Sequence, residues 1–194
     1  MTDRTTTPMT WITGGILGLA AWVGGYALTY LIVAPEIRES PLHQFVEAFE
    51  GSPATYEMAG WVFFNAHFVQ TVFRDVPIVG SVTTSFLGND GFHPGLHAIP
   101  IVILVAIGLG LAYYRYAGSP LEGALATAPI VPGYVLGALA GVVLFTVQIG
   151  GARGAPDVVP AILMAGIAYP IVFAIGAGAI SGALVQRGRR KPDV

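Results

Sequence analysis

The sequence predicts an all-α integral membrane protein: a four-transmembrane-helix bundle with a structured extracellular loop that contains an amphipathic, interfacial or re-entrant helix. Three observations carry that prediction. Of 194 residues, 54% are hydrophobic and only 10% charged, against roughly 25% charged in an average soluble domain. The uncharged residues gather in four long runs, each about the length that a hydrocarbon core of roughly 30 Å requires. Between the first two runs lies a long acidic segment rich in aromatic residues, which need burial of their own.

Residues 1–10, MTDRTTTPMT, form a short tail with a single Arg. The first run, WITGGILGLAAWVGGYALTYLIV, covers 11–33 and would rise roughly 34 Å as a helix. It is longer than the apolar region of a cleaved signal peptide and reads as an uncleaved anchor. The second run, LHAIPIVILVAIGLGLAYY, covers 96–114, the third 129–150 and the fourth 158–185. Pro100, Pro132 and Pro160 lie in opening turns, where a missing N–H is harmless. Pro170 lies deep in the fourth run and is expected to kink it. Residues 115–128 and 151–157 are read as connecting loops, and 186–194 as a basic tail.

The segment 34–95 holds Glu36, Glu39, Glu47, Glu50, Glu57, Asp75 and Asp90 against Arg38 and Arg74. Within it PLHQFVEAFE reads as a short amphipathic helix. PIVGSVTTSFLGNDG is β-branched and ends in the turn signal Asn89-Asp90-Gly91. GWVFFNAHFVQTVFR is the ambiguous stretch. As a helix over 58–74 it places His67, Gln70 and Arg74 on one stripe and Trp61, Phe64, Phe68 and Val72 on another. Its apolar part, about 24 Å long, is short for a span. Two unlike faces suit the membrane interface, so the helix is expected to lie on or dip into the surface. Trp61, Phe64, Asn65, His67 and Phe68 are its candidate interaction or packing residues.

With four spans, both termini share one side, which then holds six of the nine basic residues. The tail QRGRRKPDV makes that side cytoplasmic by the positive-inside rule, and the protein is placed in the cell membrane. Small residues allow close helix approach in lipid. Gly133, Gly137 and Gly141 in the third run, Ala174, Gly178 and Gly182 in the fourth, and Gly14 and Gly18 in the first form such rows. They are expected to hold this chain's own bundle together; an outward row would build an oligomer. Tyr26, Tyr30, Tyr113, Tyr114 and Tyr134 lie toward span ends and read as belt or packing residues.

Chemistry is scarce. The chain has no Cys, which removes disulfides, thiolate metal sites and cysteine nucleophiles. A net charge of −2 suggests no nucleic-acid partner. No Asp, Glu, Lys, Arg or His sits in the interior of any of the four runs, His97 lying only at the edge of the second, which argues against proton-coupled transport. Thr29, Thr146 and Gln148 are their most polar members. His43, His67, His93 and His97 all fall in the acidic segment or at its edge. His93 and His97 have metal-ligand spacing, but Pro94 and Gly95 spoil a regular helix between them. No nucleophile, phosphate-loop or metal motif is complete, so no catalytic site, cofactor or metal is expected. The expected partners are the lipid bilayer and another membrane protein or a second copy. The expected function is an accessory or structural component of a membrane complex, or a lipid-contacting protein. The alternative is a small transporter or channel for a neutral or hydrophobic solute.

The stretches GWVFFNAHFV, HAIPIVILVAIGLG, VPGYVLGALAG and PAILMAGIAYPIVFAIGAG together resemble a haloarchaeal multi-span membrane protein family of unknown function, whose members are sometimes loosely labelled transporters. The Phe64–Phe68 stretch is the most particular part. The resemblance implies an archaeal membrane bathed in high salt, which suits the acidic segment. It carries no functional residue with it.

Overall fold

The computed structural model describes residues 8–51, 53–88, 91–149 and 151–189. Four helices in it are long and apolar enough to cross a membrane: Met9–Glu39, Pro94–Tyr114, Pro120–Leu144 and Val158–Gly188. They are built as follows. Helix α1 spans Pro8–Glu39. A single 3-10 turn, Pro94–His97, opens α4, Ala98–Tyr114. The third long helix begins with α5, Pro120–Thr127, whose N-cap Ser119 hydroxyl accepts from the Glu122 N–H, and continues as α6, Ile130–Leu144. Much of the loop expected at 115–128 is therefore helical. The fourth long helix meets Pro170 without a plain break. Its central stretches, Ala161–Ala168 and Pro170–Ile175, are wound with wide π-helical turns on either side of Tyr169. A proline offers no N–H to the ladder, and a wider turn relocates the bonds around it.

The expectation of an all-α molecule needs correction, because a four-stranded antiparallel sheet closes one end of the bundle. Its strands are β1 (Thr71–Val76), β2 (Gly80–Thr84), β3 (Val147–Ile149) and β4 (Ala152–Pro156), in the order β2-β1-β4-β3. The β3–β4 hairpin replaces the last turn expected of the third span and most of the loop 151–157. Strand β1 pairs with β4 from Thr71 opposite Pro156 to Arg74 opposite Arg153. This pairing ties the acidic segment to the connection between the third and fourth long helices.

The ambiguous stretch resolves into two elements. Helix α3 covers Thr55–Asn65 only, and Thr71–Val76 is strand β1, so the continuous helix 58–74 and its two stripes do not form. Ahead of it, α2 spans Pro41–Glu50 with Ser40 as N-cap and Gly51 in the left-handed conformation at its C-cap. Elements α2, α3 and the sheet together cap one end of the bundle. At the opposite end the Arg115 guanidinium donates to the carbonyls of Ala126 and Thr10, stapling α4 to α5 and α1. Gly182 near the end of the chain packs on Ser119 there. The described chain thus begins and ends at the same end of the bundle.

Close approach is what the glycine rows supply. A Cβ on Gly133 would strike the Gly15 carbonyl of α1, and one on Gly137 or Gly141 would strike the Trp22 ring. Gly178 and Gly182 lie against α5 and its cap in the same way. All five meet neighbours within this chain. The core at the capped end is aromatic: Trp22 stacks on Phe145 at 5.9 Å and meets Phe63 edge-on at 5.4 Å. The Asn89-Asp90 turn, Arg4 and the end of the basic tail lie outside the described residues.

Candidate functional site

Helix α3 inserts into the bundle. Every residue from Met58 to His67 is buried, and Trp61, Phe63, Phe64 and His67 are fully so. An interfacial helix would keep one face wet; this one is embraced on all sides. Phe63 sits on Gly25 of α1 and Gly60 sits on Phe145, while the Trp61 indole donates to the Phe145 carbonyl at 2.7 Å. At the tip, His67 reaches Tyr134 of α6, ten residues and so about 15 Å of helix below Leu144. The expected aromatic outer face is absent: of Trp61, Phe64, Asn65, His67 and Phe68, only Phe68 is exposed.

The chain turns at Phe64–Val69 through a Schellman motif. The Val69 N–H bonds the Phe64 carbonyl, the Phe68 N–H bonds the Asn65 carbonyl, and Phe68 takes φ 60°. Glycine normally occupies that place, because a Cβ costs about 1–2 kcal/mol there. Here the Phe68 ring stacks on His97 with centroids 4.3 Å apart.

Each residue of the turn has a defined bond. Asn65 donates to the Val69 carbonyl at 2.6 Å and accepts from the Phe86 N–H at 2.7 Å. The Ala66 carbonyl accepts from His97 Nδ1 at 2.9 Å and from the Tyr169 hydroxyl at 3.0 Å. His67 Nδ1 lies 2.8 Å from the Phe63 carbonyl, and Nε2 lies 2.8 Å from the Tyr134 hydroxyl. A carbonyl can only accept, so Nδ1 carries the proton of the neutral ring and Nε2 accepts from Tyr134. His67 belongs to none of the four long helices, yet burial pushes its pKa down to about 4. The Phe63 carbonyl opposes that shift and nearby His97 adds slightly to it. A ring held neutral with both nitrogens engaged is a connector between α3, α6 and the fourth long helix, whose Tyr169 ring lies 4.7 Å away.

The chain belongs to a family of unknown function, DUF7978. That family's model matches residues 1–186. No curated protein and no solved structure matches the chain. For this DUF7978 member the site residues drawn from the sequence, Asn65, His67 and their neighbours, do meet at one place. Their partners Tyr134, Tyr169 and His97 were not singled out with them. Tyr134 in particular is buried and bonded to His67, so of the belt and packing roles read for it the structure fits packing. No local spacing connects residues 67 positions apart. His93 accepts from the Gly95 N–H and His97 faces Ala66, so the two rings serve different local bonds. Among the described residues no group of three His, Cys, Asp or Glu side chains could hold a metal.

Proposed function

We propose that this protein is a non-enzymatic multi-pass component of the cell membrane, an accessory or structural subunit whose capped end presents a rigid surface to a partner or to lipid. The observation that supports it is the consumption of polar groups at the inserted hairpin. Asn65, the Ala66 carbonyl and His67 all end in internal bonds, which stiffens a platform and leaves no free base or nucleophile there. Two of the three most polar residues of the apolar runs point the same way, while Gln148 is exposed on β3. Thr29 is fully buried with its hydroxyl on the Gly25 carbonyl, and Thr146 donates to the Val142 carbonyl. The helix flanks expose Leu31, Val102, Val143, Leu163 and Ile180, an apolar surface suited to acyl chains. By the positive-inside rule the end at which the described chain begins and ends is cytoplasmic, and the acidic cap faces outward, as the likeness to haloarchaeal proteins suggests.

Purification from the native membrane in mild detergent, with identification of what accompanies the protein, tests the reading. A stoichiometric companion protein, or a retained lipid shell with no solute flux in reconstituted vesicles, supports it. Flux of a neutral solute through vesicles holding the pure chain would replace it with the carrier reading.

A further inference from the structure

A cavity of about 430 Å³ opens at the capped end between α1, α2 and the start of α3. Tyr30, Arg38, His43, Glu47, Thr55 and Tyr56 line it. His43 is only 3% exposed, and its Nδ1 has no hydrogen-bond partner. Its other nitrogen, Nε2, lies 2.8 Å from the Thr55 hydroxyl, so the imidazole cannot swing away to satisfy Nδ1. Glu47 Oε2 stands 3.8 Å from Nδ1, too far for a hydrogen bond between them. The exposed Arg38 guanidinium, which also lines the cavity, donates to the Tyr30 hydroxyl at 3.3 Å. A buried orphan nitrogen is costly to keep.

We infer that this cavity is a binding site for a small zwitterion that joins a primary ammonium to an oxyanion. With the imidazole proton on Nε2, donated to Thr55, Nδ1 presents a lone pair. Nδ1 itself is covered, so an ammonium that displaces the exposed Glu47 side chain beside it would give one N–H bond to Nδ1 and another to the carboxylate. The Arg38 guanidinium and the tyrosine hydroxyls offer donors for a phosphate or carboxylate. A plain anion would meet Glu47, and a plain cation would meet Arg38, so the charges of the walls favour a ligand carrying both signs. A quaternary ammonium lacks the N–H groups that His43 Nδ1 needs. Two sources carry the right chemistry: the headgroup of an aminophospholipid, or a dissolved amino acid or phosphoamine. The inference does not depend on the accessory-component reading, since a headgroup site or a solute site can sit on either kind of protein.

The test uses the full chain in detergent and in nanodiscs. In nanodiscs of equal phosphatidylethanolamine and phosphatidylcholine, native mass spectrometry reads which lipid stays bound. In detergent, calorimetry compares O-phosphoethanolamine and serine with O-phosphocholine and glycine betaine. Preference for the primary amine by about tenfold or more in either arm supports the site, and the arm that shows it names the source. Glu47→Gln should erase the preference, and Arg38→Gln should weaken binding of every zwitterion. Both side chains are exposed, so the fold tolerates the changes, and the wild-type comparison stands without them. Equal binding of primary and quaternary amines in both arms, or no binding, overturns the inference.

Discussion

At the scale of single residues, the hairpin tip combines a buried histidine with a strained phenylalanine. For His67 the linkage has a definite sign. Its folded pKa, about 4, lies below the unfolded value near 6.5. Between those values the unfolded chain binds a proton that the folded chain refuses. Stability should therefore be full above pH about 6.5, fall on acidification, and level off below about 4, for a loss on the order of 3 kcal/mol. Thermal unfolding in detergent across that range reads it; His67→Ala should flatten the component while lowering stability everywhere. Tyr134→Phe removes the donor to Nε2 and should cost about 1–3 kcal/mol, with no change in the helical circular dichroism of the folded protein. Phe68 separates strain from stacking. Phe68→Ala loses the His97 stack and keeps the left-handed backbone, whereas Phe68→Gly loses the stack and relaxes the backbone. Glycine should thus be the milder change by about 1 kcal/mol. Equal effects would mean that the turn carries little strain.

At the scale of elements, two kinds of contact hold the cap and the bundle. Backbone meets backbone where Gly133 of α6 rests on Gly15 of α1, and no side chain is available to yield. Gly133→Val should push the two helices apart and destabilise by about 3 kcal/mol or more, read as loss of monodisperse protein after solubilisation. Gly110, with open space at its Cβ position, should accept Val with little effect and serves as the control. The cap is held by the β1–β4 ladder, where Val72 opposes Ala155. A proline in β1 at position 72 withdraws a ladder donor in an interior strand. Proteolysis of the acidic segment should then accelerate while the four long helices persist. Element types were legible in part. Each of the four apolar runs lies wholly or mostly in a long helix, the structure in which such a run satisfies its own backbone. PLHQFVEAFE became α2, because its Ser40 cap, Pro41 and Gly51 act locally. The Gly60–Arg74 stretch misled, because a 3.6-residue periodicity can be traced through a segment whose backbone turns at Phe68 and leaves as a strand. What decided that turn was burial among α1, α6 and the fourth long helix.

At the scale of the whole molecule, a hairpin that enters and leaves at the capped end adds no crossing to the four that the long helices could make. A reporter after Arg74 and another at the amino end should therefore register opposite compartments. Agreement between them would remove the four-span layout. The four span-length helices follow from composition and length, since a helix forms from bonds four residues apart and a lipid-length apolar run announces it locally. Lack of cysteine and of charge within the apolar runs is equally a property of the chain as written. The sheet, the depth of α3 and the meeting of His67 with Tyr134 and Tyr169 were decided only by tertiary structure. Each joins residues tens to about a hundred positions apart, and such pairings gain their energy from desolvation and hydrogen bonding that exist once the bundle has closed around them.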